Sequence, residues 1–328
     1  MTEATSLALS TREQVLRAIR AGERFAVVTH ENLDGDALGS LVAMQLLLRA
    51  LDKDAVIVIS PEEFPLPPEY RFFALDGLAT AAPDDLDRRI TIFLDCGNLD
   101  RNPLAAMREA EPLINIDHHH DNTRFGTINH VVEEASCTAE IVWDLTGALG
   151  VEISPTMAEA LYVGLVTDTG RFSYESTTPR AHAMAAELIA AGVDVGRLYR
   201  QIFEDVPFAK LELLGRALAS TRRFDQERLM TAVLTCEDFA ATGADDSYAE
   251  GVVDHLRAVK DTKVAALIRE ICSGTRAGSH KVSLRASDDD VDVSAIARAF
   301  GGGGHRRAAG FTSELSAGEL IDAIRAQV

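Results

Sequence analysis

The sequence predicts an α/β chain of two unequal parts, the first built on a parallel sheet. Three observations carry this. Short β-prone runs alternate with longer helical patterns over residues 25–191. Acidic and imidazole side chains stand where several of those runs stop. The pattern changes after Gly192, and 328 residues exceed one typical domain.

Residues 25–28 form the first strand, which ends at Thr29 and His30. Residues 37–50 read as a helix, with Leu38, Leu41, Val42, Met44, Leu46 and Leu48 giving a broad apolar face. A second strand over 56–59 is stopped by Ser60 and Pro61, and the Pro-rich piece 64–68 is a loop. Strands follow at 90–94 and 113–116, then helices at 138–149, 155–166 and 178–191. Pro155 suits a first helical turn and Gly192 a C-terminal cap. Strands that alternate with helices predict a parallel sheet covered on both faces.

Residues 194–218 read as helical with a break at Val206 and Pro207. Beyond them, strands at 229–234, 264–268 and 282–284 and helices at 248–259, 293–300 and 317–327 make a second, smaller α/β unit. The expected division is therefore 1–192, a helical linker over 193–218, and 219–328. No internal repeat stands out, and Asp288 to Asp290 read as a solvated turn.

The formal charge of -19, from 51 acidic and 32 basic residues, argues against a protein that coats long nucleic acid. A small anionic substrate remains compatible, because local positive charge and bound metal override the overall field. Cys96, Cys137, Cys236 and Cys272 are scattered without a CxxC spacing, so buried free thiols are expected. The N-terminus lacks a basic-then-apolar signal pattern and no apolar stretch has transmembrane length, so the default is a soluble, cytoplasmic protein.

Four segments concentrate candidate metal ligands: His30, Asp34 and Asp36 around Gly35; Asp95; Asp117, His118 and His119; and Asp168 before Thr169 and Gly170. Open parallel sheets gather functional residues beyond the carboxyl ends of their strands, and His30, Asp95 and Asp117 meet that rule. Gly35 permits a tight path that turns two carboxylates into one cavity. Singly, each segment has a plainer reading as a turn, a surface pair or a helix end. Together they predict two divalent cations side by side, a device for phosphoester cleavage. Oxygen with imidazole suits Mn2+, or Mg2+ or Co2+, better than structural zinc. Cys96, one residue from Asp95, points to the opposite face.

In the second unit, Gly301 to Gly304 can present backbone N–H groups to an anion, followed by His305 and Arg306. Ser283, Arg285 and Ser287 alternate, so they share one strand face and can grip a phosphate or base. The plainer readings are a flexible linker and an ordinary amphipathic strand. Arg101 and Arg180 are further phosphate contacts or, more simply, exposed salt-bridge arginines.

HENLDGDALGS at 30–40, LDCGN at 94–98, IDHHHDN at 116–122 and GLVTDTGRF at 164–172 resemble the motifs of the DHH phosphoesterase superfamily. GGGGHRRAAGF at 301–311 resembles the glycine-rich signature of the DHH-associated C-terminal domain. The family commonly has proline before its Asp-Gly-Asp, where this chain has Leu33; little consequence is expected. His120 lies beyond the motif and is expected to be peripheral.

The resemblance implies a Rossmann-like catalytic domain with the active site in the cleft between it and the second domain. One cation would take His30, Asp34 and Asp95, and the other Asp36, Asp95, His118 and Asp168, with Asp95 bridging. Asp117 would orient a neighbouring imidazole, and His119 would face the phosphoryl group. Ser283, Arg285, Gly302, Gly303, Gly304, His305 and Arg306 would bind the rest of the substrate.

Within the superfamily the chain looks like the oligoribonuclease and 3'-phosphoadenosine-5'-phosphate (pAp) phosphatase branch. That implies release of mononucleotides from short oligoribonucleotides of roughly two to five units, pApA included, and dephosphorylation of pAp. The alternatives are an enzyme mainly for cyclic or linear di-AMP and an exopolyphosphatase-like enzyme. Expected partners are these substrates and a possible second copy of the chain, with no long duplex nucleic acid and no membrane.

Overall fold

The computed structural model describes residues 3–204, 206–226, 228–288 and 290–328; the side chains of residues 3–10 and of His305 lie outside the described ones. The chain divides into two compact units, Met1–Asp205 and Val206–Val328. Among the described residues, no helix is long and apolar enough to cross a membrane.

The first unit contains, in order, α1 (Glu3–Ala21), β1 (Arg24–Val28), α2 (Gly35–Ala50), β2 (Asp54–Ile57), β3 (Ile90–Leu94), α3 (Ala105–Arg108), β4 (Leu113–Asp117), β5 (Ile128–Val131), α4 (Thr138–Ala148), α5 (Pro155–Asp168), α6 (Pro179–Ala190) and α7 (Val195–Tyr199), which runs into a π-helical turn. The five strands pair in parallel in the order β2-β1-β3-β4-β5. Alternate residues serve opposite faces. Phe25, Val27, Ile92, Leu94, Ile114 and Ile116 join the main core with α1, α2, α4, α5 and α6. Ala26, Val28, Phe93 and Leu113 join a smaller core with Met107 of α3. Each fully buried aliphatic or phenyl side chain stabilises the fold by roughly 1.5–3 kcal/mol.

The sheet and its central strands match expectation. In this unit α1, α3 and β5 escaped the sequence reading. β5 reads Ile-Asn-His-Val, too polar to register as an apolar run. The strand expected at 56–59 begins earlier, at Asp54, and Val58 makes only an isolated bridge to Ala79.

The closest helix crossing in the unit joins α2 to α5. A Cβ on Gly39 would meet the Ala160 carbonyl oxygen at 2.3 Å, and one on Gly164 would meet Ala139 Cβ and Asp36 Oδ1, both at 2.7 Å. Gly35 opens α2, and its Cβ would strike the Thr167 hydroxyl at 2.4 Å. Close helix approach, and not the tight turn expected from the sequence, is therefore what glycine supplies at that position. This crossing sets the first turn of α2 beside the last turn of α5, and so Asp36 beside Asp168.

The second unit contains α8 (Phe208–Ala219), β6 (Arg222–Phe224), β7 (Leu229–Leu234), α9 (Cys236–Thr242), α10 (Val252–Arg257), β8 (Val264–Glu270), β9 (His280–Ala286), α11 (Val293–Ala299), β10 (Gly303–His305), β11 (Ala308–Ser313) and α12 (Ala317–Arg325). Its sheet order is β10-β11-β9-β8-β7-β6, antiparallel except for the β7–β8 pair. α11 and α12 cover one face, and α8, α9 and α10 pack on the other. Here β6, α9, β10 and β11 escaped the sequence reading.

Two expectations are corrected here. Cys236 and Cys272 form a disulfide with Cα atoms 5.4 Å apart, while Cys96 and Cys137 are buried free thiols as expected. The bridge arises because β7 and β8 run parallel, so their ends lie side by side although 36 residues separate the cysteines. The acidic run at 288–290 is more than a solvated turn, because Asp288 and Asp290 both pair with Lys263. Asp289 lies outside the described residues.

Two predictions follow from this packing. Gly39→Ala forces the α2–α5 crossing apart and should cost about 1–3 kcal/mol in urea unfolding. His130 on β5 is buried, with Nδ1 3.1 Å from the Thr11 hydroxyl; burial, aided by Arg12 and opposed by Asp144, lowers it from 6.5 to about 4. As pH falls the unfolded chain takes this proton first, so the contribution is present above about 6.5 and is lost toward 4. Between pH 7 and 4.5 the wild type should lose roughly 2 kcal/mol more stability than His130→Gln.

Candidate metal centre

His30 leaves β1 buried, with Nδ1 2.6 Å from the Glu31 carbonyl oxygen. That oxygen can only accept, so Nδ1 carries a proton and Nε2 is the nitrogen turned to the carboxylates. Nε2 lies 3.4 Å from Asp95 Oδ2 and 3.9 Å from Asp34 Oδ2. Asp34 is the N-cap of α2: its Oδ1 accepts from the Ala37 N–H at 2.9 Å, and its other oxygen is turned to His30.

Asp95 stands one residue past β3 with φ +56°, in the left-handed region and out of the pleated strand. Its Oδ1 lies 3.6 Å from both His118 Nε2 and His119 Nδ1. His118 Nε2 is also 3.5 Å from Asp168 Oδ2, at the end of α5. One Asp95 oxygen thus faces His30 and Asp34, and the other faces His118. Potential ligand atoms fall into a His30–Asp34–Asp95 group and an Asp36–His118–Asp168 group, each within 4.8 Å.

A third group joins Asp95, Asp117, His118 and His119. Asp117, however, is already engaged. Its Oδ2 accepts from Asn122 at 2.6 Å; its Oδ1 accepts from the His118 N–H at 2.9 Å and from His119 Nδ1 at 2.7 Å. Asn122 also donates to Asn115 Oδ1 at 2.8 Å, and Asn115 donates to the Cys96 carbonyl at 3.1 Å. Burial opposes a charged His119, but the Asp117 hydrogen bond and the Asp95 charge outweigh it and raise the imidazole to about 10. Asp117 thus holds the His119 ring through Nδ1.

Asp36 is buried on α2 at the N-terminus of α4. It accepts from the N–H groups of Thr138 (2.6 Å) and Ala139 (2.9 Å) and from the Ser40 hydroxyl (3.2 Å). Thr138 Oγ1 donates to Asp95 Oδ1 at 3.0 Å. Burial, then the charges of Asp95 and Asp168, push Asp36 well above the usual carboxylate range; burial, then Asp95 and Asp34, do the same to Asp168. Asp95 goes the other way: burial opposes its charge, but the His30 hydrogen bond and the three imidazoles hold it below the usual range. Crowded carboxylates interleaved with oriented imidazoles make a donor set for divalent cations.

All six expected ligands converge. Sequence reading missed the supporting donors Thr138, Ser40, Asn115 and Asn122, of which Ser40 and Asn122 close two of the quoted motifs. Arg101 reaches the site, with Nη2 3.1 Å from His30 Nδ1. Arg180 instead pairs with Glu140 and Asp144 and lies over Trp143. His120 is exposed. Leu33 is buried and donates its N–H to Glu63 at 3.3 Å, a bond that proline could not make.

In the second unit Ser283 and Arg285 share the half-buried face of β9, and Arg285 Nε lies 3.3 Å from Asp254. Ser287, just past β9, donates its hydroxyl to the Arg257 carbonyl. The Gly301 and Gly302 N–H groups are committed to Arg298 and Ala297, and Gly303 and Gly304 pair with β11, so the run is the start of an edge strand and not an open loop. A Cβ on Gly302 would strike the Gly310 oxygen at 2.2 Å. Arg306 is exposed, and the side chain of His305 lies outside the described residues. A cavity of about 450 Å3 beside this run is lined by Arg276, Ser279, Gly301, Gly302, Phe311 and Thr312, among others.

A parallel sheet with this carboxylate–imidazole cluster at its strand ends defines a metal-dependent phosphoesterase. Residues 24–165 match the model of the DHH family, N-terminal domain, and residues 228–328 match the DHHA1 domain. The chain belongs to the DHH family. It is 32% identical over 310 residues to the bifunctional oligoribonuclease and PAP phosphatase NrnA of Thermus thermophilus, covering 91% of this chain and 86% of that one. The Bacillus subtilis protein of the same name is 24% identical over 306 residues, covering 91% and 92%. An exopolyphosphatase-related protein from Bacteroides fragilis superposes with a TM-score of 0.85 at 24% identity, covering 97% and 95%; that likeness speaks for the fold.

The raised carboxyls Asp36 and Asp168 make the metal-free cluster a source of instability at neutral pH: their contribution is present at low pH and lost as pH rises through the elevated values. Asp168→Asn should therefore raise the melting temperature in EDTA and shrink the increase that added Mn2+ produces. A lower melting temperature in EDTA would count against this reading.

Proposed function

We propose that this chain is a Mn2+-dependent phosphohydrolase that releases mononucleotides from short oligoribonucleotides and removes the 3'-phosphate of pAp. The observation that carries the proposal is the Asp95 carboxylate, with one oxygen turned to each ligand group, in a chain similar along most of its length to the Thermus thermophilus enzyme. His30, Asp34 and Asp95 would hold one cation, and Asp36, Asp95, His118 and Asp168 the other. When bound, the pair supplies Lewis acidity and an activated water at neutral pH.

The chain's own groups do the rest. Asp117 fixes the His119 ring through Nδ1, and His119 would face a phosphoryl oxygen. Asn122 and Asn115 hold Asp117 in turn. With its Nδ1 proton held by the Glu31 carbonyl, His30 would present Nε2 to a cation. Ser283, Arg285 and the groups from Gly302 to Arg306 would bind the rest of the substrate. Arg285 would have to exchange Asp254 for the ligand.

A product panel with purified protein in Mn2+, with and without EDTA, tests this. AMP from pApA and phosphate from pAp are expected, both abolished by EDTA, with slower turnover per end of long RNA. Preferential turnover of cyclic di-AMP or polyphosphate, with pAp and pApA untouched, would overturn it. Asp95→Ala should remove activity more completely than loss of Asp34, which serves one cation.

A further inference from the structure

We propose that Thr138 is a positioning residue that presets the Asp95 carboxylate to face both cation sites; the inference rests on the two-cation reading above. Thr138 is the first residue of α4 and fully buried. It touches two ligand carboxylates at once: its N–H donates to Asp36 Oδ2 at 2.6 Å, and its hydroxyl donates to Asp95 Oδ1 at 3.0 Å.

The terminal torsion of an aspartate is soft and broad. Asp95 has also left the strand, with φ +56°, so pleated backbone geometry does not orient its side chain. The Thr138 hydroxyl supplies the missing restraint. It holds Oδ1 on the His118 side, which turns Oδ2 to His30 Nε2 at 3.4 Å. A carboxylate oxygen has two acceptor sites, so one remains on Oδ1 for a cation.

The donor is itself anchored. Glu140 accepts from the Ser136 N–H at 3.0 Å and pairs with Arg180 at 2.9 Å, which fixes the chain entering α4. Ser40 makes the natural comparison, because its hydroxyl reaches Asp36 alone, at 3.2 Å. Loosening Asp95 should disturb both cations, and loosening Asp36 only one.

Thr138→Ser and Thr138→Ala differ by one oxygen atom and neither adds bulk. Calorimetric titration of the chelator-stripped full chain with Mn2+ reads their effect without substrate. The alanine variant should bind both ions about 10–100-fold more weakly, the serine variant should return to within a few-fold of wild type, and Ser40→Ala should weaken one ion only. Circular dichroism checks that each variant is folded. Equal isotherms for the alanine and serine variants, beside a wild type that binds two ions, overturn the role of Thr138 and leave the two-cation reading standing. A wild type that binds no Mn2+ overturns both.

Discussion

Like charges collect in a protein interior only when rigid elements hold them there. Asp36, Asp95 and Asp168 come from the first turn of a helix, the end of a strand and the last turn of another helix. Their meeting depends on α2 and α5 crossing at backbone distance, which side chains at Gly39 or Gly164 would prevent. Packing energy from the surrounding core thus sustains an electrostatic arrangement that is unfavourable in itself. The same crowding makes the site a strong attractor for divalent cations.

Carboxylates that look alike in sequence are separated by their surroundings. Asp95, ringed by imidazoles, is held ionised, whereas Asp36 and Asp168 feel mainly burial and each other's neighbours. Asp117 adjoins His118 and His119, yet its oxygens are filled by Asn122, the His118 N–H and His119. It serves to aim an imidazole. The family's namesake aspartate is thus a support, while Asp95, in a less conspicuous segment, turns one oxygen to His30 and the other to His118.

The second unit shows how composition misleads. Four consecutive glycines suggest a loop, but half of their N–H groups are spent on α11 and the rest of the run joins an edge strand. Glycine is needed at 302 because the β11 backbone lies against it. The cysteines of this unit illustrate the same point, since their pairing follows from strand direction and not from spacing.

What the sequence determined by itself was the parallel sheet, its central strands and the six convergent ligands, because periodicity and residue type are local properties and the motifs sit at strand and helix ends. β5 was hidden by its own polarity, and α1 and α3 were not called. The tertiary structure alone decided what Gly35 is for, and that Thr138, Ser40 and Asn115 support the site. Those outcomes depend on which atoms of distant segments come within hydrogen-bonding reach. Thr138 lies 43 residues from Asp95 and 102 from Asp36, and nothing in its neighbours along the chain marks it.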